Sequence, residues 1–218
     1  MAPLVLAARG IERRYGRRVA LEPTDFALHA GELVALVGPN CAGKSTLLSL
    51  LAGALPPTGG RVERCEPVPT VGWAPQRPAV YGHLSARENA ELFARLARLD
   101  DPEGSAAAVL ETVGLPAGDQ RADELSVGNQ HRLNLALALL GDPDVLLLDE
   151  PSASLDPAQR KRLWELLLDR RAAGRSALLA THSLEEAAHL ATRVVLLVDG
   201  SVVLEGAPAD VAAAMESR

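Results

Sequence analysis

Eight residues, Gly38-Pro39-Asn40-Cys41-Ala42-Gly43-Lys44-Ser45, sit between an apolar run at residues 32–37 and a helical pattern at residues 44–52. The order is strand, glycine-containing turn, helix, and the turn fits the phosphate-cradling pattern GxxxxGK[ST]. This constrains the fold more than any other feature. Such a turn needs a buried strand to aim it and a helix whose N-terminal N–H groups face an anion. Its glycines let backbone N–H groups approach phosphate oxygens where a Cβ would intrude. Of the 22 basic residues only Lys44 and Lys161 are lysines, so Lys44 stands out in an arginine-rich chain. Lys44 is expected to reach the β- and γ-phosphates of a nucleotide. The Ser45 hydroxyl is expected to complete a Mg²⁺ shell, with Thr46 next to it in the same turn.

Around this turn the chain reads as alternating strands and helices. Strand-like runs are expected at residues 70–74, 145–148, 176–180, 194–198 and 202–204, and helical patterns at 158–171 and 184–190. Residues 85–140 read as almost wholly helical, with Gly/Pro/Asp interruptions near 100–104 and 114–118, while residues 56–60 form a Pro/Gly break. Alternation of this kind implies a largely parallel α/β sheet. With 218 residues, no internal repeat and 48% hydrophobic residues, one domain with an aliphatic core is expected.

Charge and cysteine content narrow the function classes. A net charge of -6 supplies no basic field to gather nucleic acid, and no nucleic-acid partner is expected. The apolar runs fall short of the roughly 20 residues needed to cross a bilayer, and the N-terminus has no signal-peptide core. Cys41 and Cys65 form no metal-binding pattern. A cytoplasmic location follows as the expectation.

The turn alone leaves kinases, GTPases and motor ATPases open, so a second acidic site has to decide. Val145-Leu146-Leu147-Leu148-Asp149-Glu150 is a buried strand that delivers two carboxylates at its C-terminal end, where open α/β sheets place ligands. Asp149 is expected to hold Mg²⁺, and Glu150 to polarise the attacking water, a task that a metal-bound carboxylate cannot also perform.

Leu125-Ser126-Val127-Gly128-Asn129-Gln130 opens a helix shortly before that strand and resembles the signature motif of ATP-binding cassette proteins. The resemblance spans nearly the whole chain. It implies a P-loop NTPase, RecA-like α/β core with a mostly parallel sheet, an antiparallel β part near the N-terminus and an α-helical signature subdomain. The core would comprise about residues 1–76 and 141–218, and the helical subdomain about 77–140. By resemblance Tyr15 is the adenine-stacking aromatic. Gln76 is the Q-loop residue, touching Mg²⁺ or the water, Asp156 belongs to the D-loop, and His182 is the switch histidine. Ser126 and Gly128 would bind the γ-phosphate of ATP held by a second cassette, identical or different, so that ATP closes a head-to-tail pair. Two positions depart from the family pattern within the signature, Val127 for Gly and Asn129 for Gln, and Cys41 stands where Gly is common in the turn.

Taken together, the resemblance implies an ATP-hydrolysing transporter subunit on the inner face of the membrane. It would work through separate permease subunits that dock near residues 76–89. The close of the chain soon after residues 208–215 is in keeping with small exporter-type cassettes. The alternative is a catalytically weak regulatory or structural cassette in a heterodimer.

Overall fold

A computed structural model describes residues 2–116 and 118–216. Its centre is a six-stranded sheet. In chain order the strands are β3 (Leu33–Val37), β5 (Val71–Ala74), β6 (Val145–Asp149), β7 (Ser176–Thr181), β8 (Arg193–Val198) and β9 (Ser201–Gly206). They lie side by side as β5-β6-β7-β3-β8-β9, parallel throughout except that β9 returns antiparallel to β8. β3, β6 and β7 are buried at every residue, which explains why they read as unbroken apolar runs with no polar alternation.

Alternate side chains of these strands nonetheless enter different layers, as the period of two demands. Val34, Leu36, Val145, Leu147, Leu178 and Ala180 pack under α1 (Lys44–Leu51). That layer is closed by Leu6, Ile11, Leu21, Phe26 and Leu28 from a second sheet. Leu33, Ala35, Val37, Leu146, Leu148 and Leu179 face the other way, against Leu163 and Leu167 of α5 (Pro157–Ala172) and Leu190 of α6 (Leu184–Leu190). Helix α1 is thus held between two sheets, and the turn that precedes it is held with it.

The second sheet is antiparallel, in the order β2-β1-β4, from β1 (Leu4–Tyr15), β2 (Arg18–His29) and β4 (Gly59–Arg64). The Pro/Gly break expected at residues 56–60 ends earlier than its composition suggests, because Gly59 already pairs with Glu12 of β1. Sequence patterning left β1 and β2 without bounds. Both are 12 residues long, and register shifts within their pairing break the polar–apolar alternation that would have marked them.

Between β5 and β6 the described residues form three α-helices, α2 (Ala86–Leu96), α3 (Pro102–Thr112) and α4 (Val127–Leu139), with a short 3₁₀ turn at Ala122–Glu124. Each starts on a capping side chain: Ser85, in a reciprocal box with Glu88, then Asp101, then Ser126. Ala90, Ala106, Leu110, Leu133 and Ala136 give them a small core of their own, while Leu135, Ala138 and Leu139 of α4 face the central sheet. The helical reading of residues 85–140 therefore resolves into three helices with the interruptions near the expected places. A last helix, α7 (Pro208–Glu216), follows β9. Among the described residues, no helix is long and apolar enough to cross a membrane.

Candidate functional site

The strand order β5-β6-β7-β3 brings four chain segments to one sheet edge, since each parallel strand ends there. Gln76 follows β5, Asp149 and Glu150 end β6, His182 follows β7, and the glycine turn follows β3. This is the carboxyl edge, where a doubly wound sheet opens a crevice. A cavity of about 410 Å³ occupies it, lined by Asn40, Cys41, Ala42, Gly43, Lys44, Ser45 and Thr46 of the turn, with Gln76, Asp149 and Glu150 beside them. Tyr15, Arg18 and Ala20 from the β1–β2 hairpin close its other end.

The turn is pinned from behind. A Cβ on Gly38 would fall 2.0 Å from the Leu197 carbonyl oxygen of β8, so this position accepts no side chain. Lys44 is buried, and its Nζ donates to the carbonyl oxygens of Gly38 (2.8 Å) and Pro39 (3.0 Å). The ammonium lies across the loop it belongs to, at the floor of the cavity. Cys41 is exposed and left-handed at φ 65°, a conformation in which a Cβ is strained.

Asp149 is buried, and its Oδ1 has no hydrogen-bond partner. Burial pushes its carboxyl above the usual carboxylate range, outweighing the opposing pull of the Ser45 hydroxyl, the Lys44 ammonium and the Gln76 backbone N–H. A buried, unpartnered carboxylate oxygen next to a hydroxyl is a hard, all-oxygen donor set, and it fits a Mg²⁺ ion that keeps its remaining places for water and phosphate. Glu150 is also buried, at φ 51°, and its Oε2 lies 2.8 Å from His182 Nδ1. The His182 ring itself is largely exposed.

Ser126, Gly128 and Asp156 do not line this cavity. Ser126 Oγ accepts from the Asn129 N–H and caps α4. Asp156 caps α5, exchanging hydrogen bonds with Gln159. Gly128 lies against the segment between Glu150 and Asp156, where a Cβ would stand 3.0 Å from the Ser154 carbonyl oxygen. Val127 points outward, and the Asn129 side chain is tied to the Arg132 guanidinium. Arg18 and Ala20 are the lining residues that the sequence did not single out, and Arg18 is the charged one. It pairs with Tyr15 across the hairpin, and the signal was the arginine run that flanks Tyr15.

The family model of the ABC transporter matches residues 21–153, which include the turn, Gln76, the signature segment and both carboxylates. Nod factor export ATP-binding protein I of Burkholderia orbicola (strain AU 1054) is 39% identical over 212 residues, covering 92% of this chain and 70% of that protein. The chain belongs to the ABC transporter family. The protein of the same description from Sinorhizobium fredii (strain NBRC 101917 / NGR234) is 37% identical over 210 residues, 91% of this chain and 61% of that protein. Two solved structures share the fold. The ATP-binding cassette MJ0796, described as dimeric and bound to ADP and Pi after hydrolysis, superposes with a TM-score of 0.84 at 24% identity, over 93% of this chain and 98% of that one. The cbiO1 protein of Clostridium perfringens, described as part of the ABC transporter complex cbiONQ, gives 0.77 at 26%, over 99% and 93%. This ABC transporter chain is accordingly an ATPase domain that uses ATP with Mg²⁺.

Proposed function

We propose that this ABC ATPase is the motor subunit of an exporter, closing head to tail with a second cassette around MgATP and driving separate membrane subunits. The observation that carries the proposal is the Glu150–His182 pair. It sets a buried carboxylate at the edge of the phosphate cavity, with its second partner facing solvent.

In this reading Tyr15 stacks on adenine. The turn from Gly38 to Thr46 surrounds the triphosphate, with Asn40, Cys41, Ala42 and Gly43 giving backbone N–H contacts, Pro39, which has no N–H, holding the Lys44 ammonium by its carbonyl oxygen, and Lys44 giving charge. Ser45 and Asp149 would hold Mg²⁺, and the Gln76 amide would reach the same ion or the water. The ion would neutralise charge building on the β- and γ-oxygens. Glu150 accepts a proton from the attacking water as its oxygen bonds to the γ-phosphorus and the bond to the β-phosphate oxygen breaks, giving ADP and phosphate. His182 holds the Glu150 carboxylate in place. His182 acts by position, which is most of what phosphoryl transfer asks of a protein.

Ser126 and Gly128, which do not line this chain's own cavity, would serve the γ-phosphate of a second cassette. Asp156, as the cap of α5, would set the segment that supports them. Residues 77–140 act as a helical subdomain on the core of residues 1–76 and 141–218. The permease docks near residues 76–89, where buried Asn89 shapes the turn by bonding Tyr81, Leu84 and Ser85, and Tyr81 is left exposed. In this reading the subunit works on the cytoplasmic side of a membrane. Export is supported by relatives named as Nod factor export proteins.

The test is Glu150→Gln. It should bind MgATP yet hydrolyse it at least about 100-fold more slowly, and it should sediment as a pair, with itself or with a co-expressed cassette. Undiminished hydrolysis would overturn the assignment.

A further inference from the structure

Tyr15 ends β1, and two residues earlier on the same side of the strand stands Arg13, whose guanidinium carbon lies 4.5 Å from the Tyr15 ring centroid. Tyr15 lines the cavity and Arg13 does not, so the cation stacks on the ring without itself bordering the cavity. Arg13 is itself fixed. Its Nη1 donates to the Pro56 carbonyl oxygen at 2.8 Å, and its Nε is buried. Pro56 lies just beyond the C-terminal end of α1, the helix whose first residue is Lys44. The guanidinium thus links the ring to the segment that follows the helix on which Lys44 sits.

We infer that Arg13 is a positioning residue for nucleotide binding: clamped to Pro56 and stacked on Tyr15, it fixes the distance and tilt between the base-stacking ring and the phosphate turn. The inference rests on the reading of Tyr15 as the adenine-stacking residue. A cation on one face of a phenol ring restricts its rotation, and it draws π-electron density from the opposite face. An electron-poor face favours an electron-rich purine. Arg13 thus acts on the base through Tyr15 and has no part in holding the phosphates.

This division can be read by comparing two probes, MgATP and Mg-tripolyphosphate, the second of which lacks base and sugar. Their dissociation constants would be measured by calorimetry on the full chain carrying Arg13→Leu, Arg13→Gln, Tyr15→Leu or the Arg13→Leu/Tyr15→Leu pair. Arg13→Gln removes the cation and the reach to Pro56 but keeps a polar side chain, so it separates loss of the guanidinium from the burial of an apolar side chain. Arg13→Leu and Arg13→Gln should each weaken MgATP by about threefold and leave Mg-tripolyphosphate unchanged. In the Tyr15→Leu background, itself weakened by at least about fivefold, the Arg13 change should have no further effect. Equal weakening of both probes would show that Arg13 merely supports the fold, and overturn the inference. Full MgATP affinity in both Arg13 variants, with Tyr15→Leu weakened, would overturn it while leaving the Tyr15 reading intact. Full affinity in Tyr15→Leu would remove the base-stacking reading and this inference together.

Discussion

His182 Nδ1 lies 2.8 Å from Glu150 Oε2, and the two residues differ sharply in setting: the carboxylate is buried, while 66% of the imidazole side chain faces solvent. The histidine therefore contributes orientation and little packing. His182→Ala should lower kcat by roughly 10- to 100-fold, the range set by losing one hydrogen bond to a charged group. Stability should change by less than about 0.5 kcal/mol. Steady-state hydrolysis alongside thermal unfolding separates the two effects, and a large fall in Tm would contradict the division of labour.

Lys44→Ala is expected to abolish ATP hydrolysis. It should also cost stability, since the buried ammonium bonds two carbonyl oxygens of its own loop. A loss of about 1–3 kcal/mol follows if those acceptors are left unpaired. Denaturant unfolding measures this, and a variant that still hydrolyses ATP while folded would remove Lys44 from the phosphate site.

Cys41 combines exposure with a left-handed backbone. Cys41→Gly should raise stability by about 1 kcal/mol because glycine adopts φ 65° without strain. The thiol should react with a maleimide more slowly in the presence of MgATP, since Cys41 borders the cavity. Cys65 is partly buried beside the Leu4 carbonyl, outside the cavity, and serves as the unprotected control. Mass spectrometry of each thiol reads the difference. Equal labelling of Cys41 with and without nucleotide would show that its side chain faces away from the phosphates.

Acid should loosen the fold through Glu32. Burial raises its pKa, but the bidentate Arg193 guanidinium (2.7 and 3.0 Å) and the His29 N–H (3.0 Å) outweigh burial and hold the carboxyl below its usual 4.5. A lowered folded-state pKa gives stability that is complete above the unfolded value and lost as pH falls through the folded one. Glu32→Gln should cost about 1.5–3 kcal/mol at pH 7, with the gap to the unaltered protein closing below about pH 4.5. Urea midpoints taken from pH 7 to pH 3 test the sign, and a gap that widens in acid would refute it.

How much of this was legible in the sequence depended on how each element is built. β3, β6 and β7 are buried on both faces and announce themselves as apolar runs, so Asp149 and Glu150 could be placed at a strand end, and Lys44 at the helix start after the turn, with no structure at hand. β1 and β2 belong to an irregular antiparallel sheet whose bulges shift the pattern, and their extent was hidden. Arg18 was hidden with them, because it enters the cavity only through its cross-strand pairing with Tyr15. The relation of Gly128 to Ser154 was equally invisible, since it joins segments that no local period links.

That last relation has a mechanical meaning. The stretch from Glu150 to Asp156 is anchored at one end by the Glu150 N–H bonded to the Ala180 carbonyl of β7. At the other end it is anchored by the cap on α5, and midway it touches Gly128 at the start of α4. A span of so few residues with three fixed points has little slack. The span is thus a short strut between the buried Glu150 carboxylate at the cavity and the outward-facing start of α4.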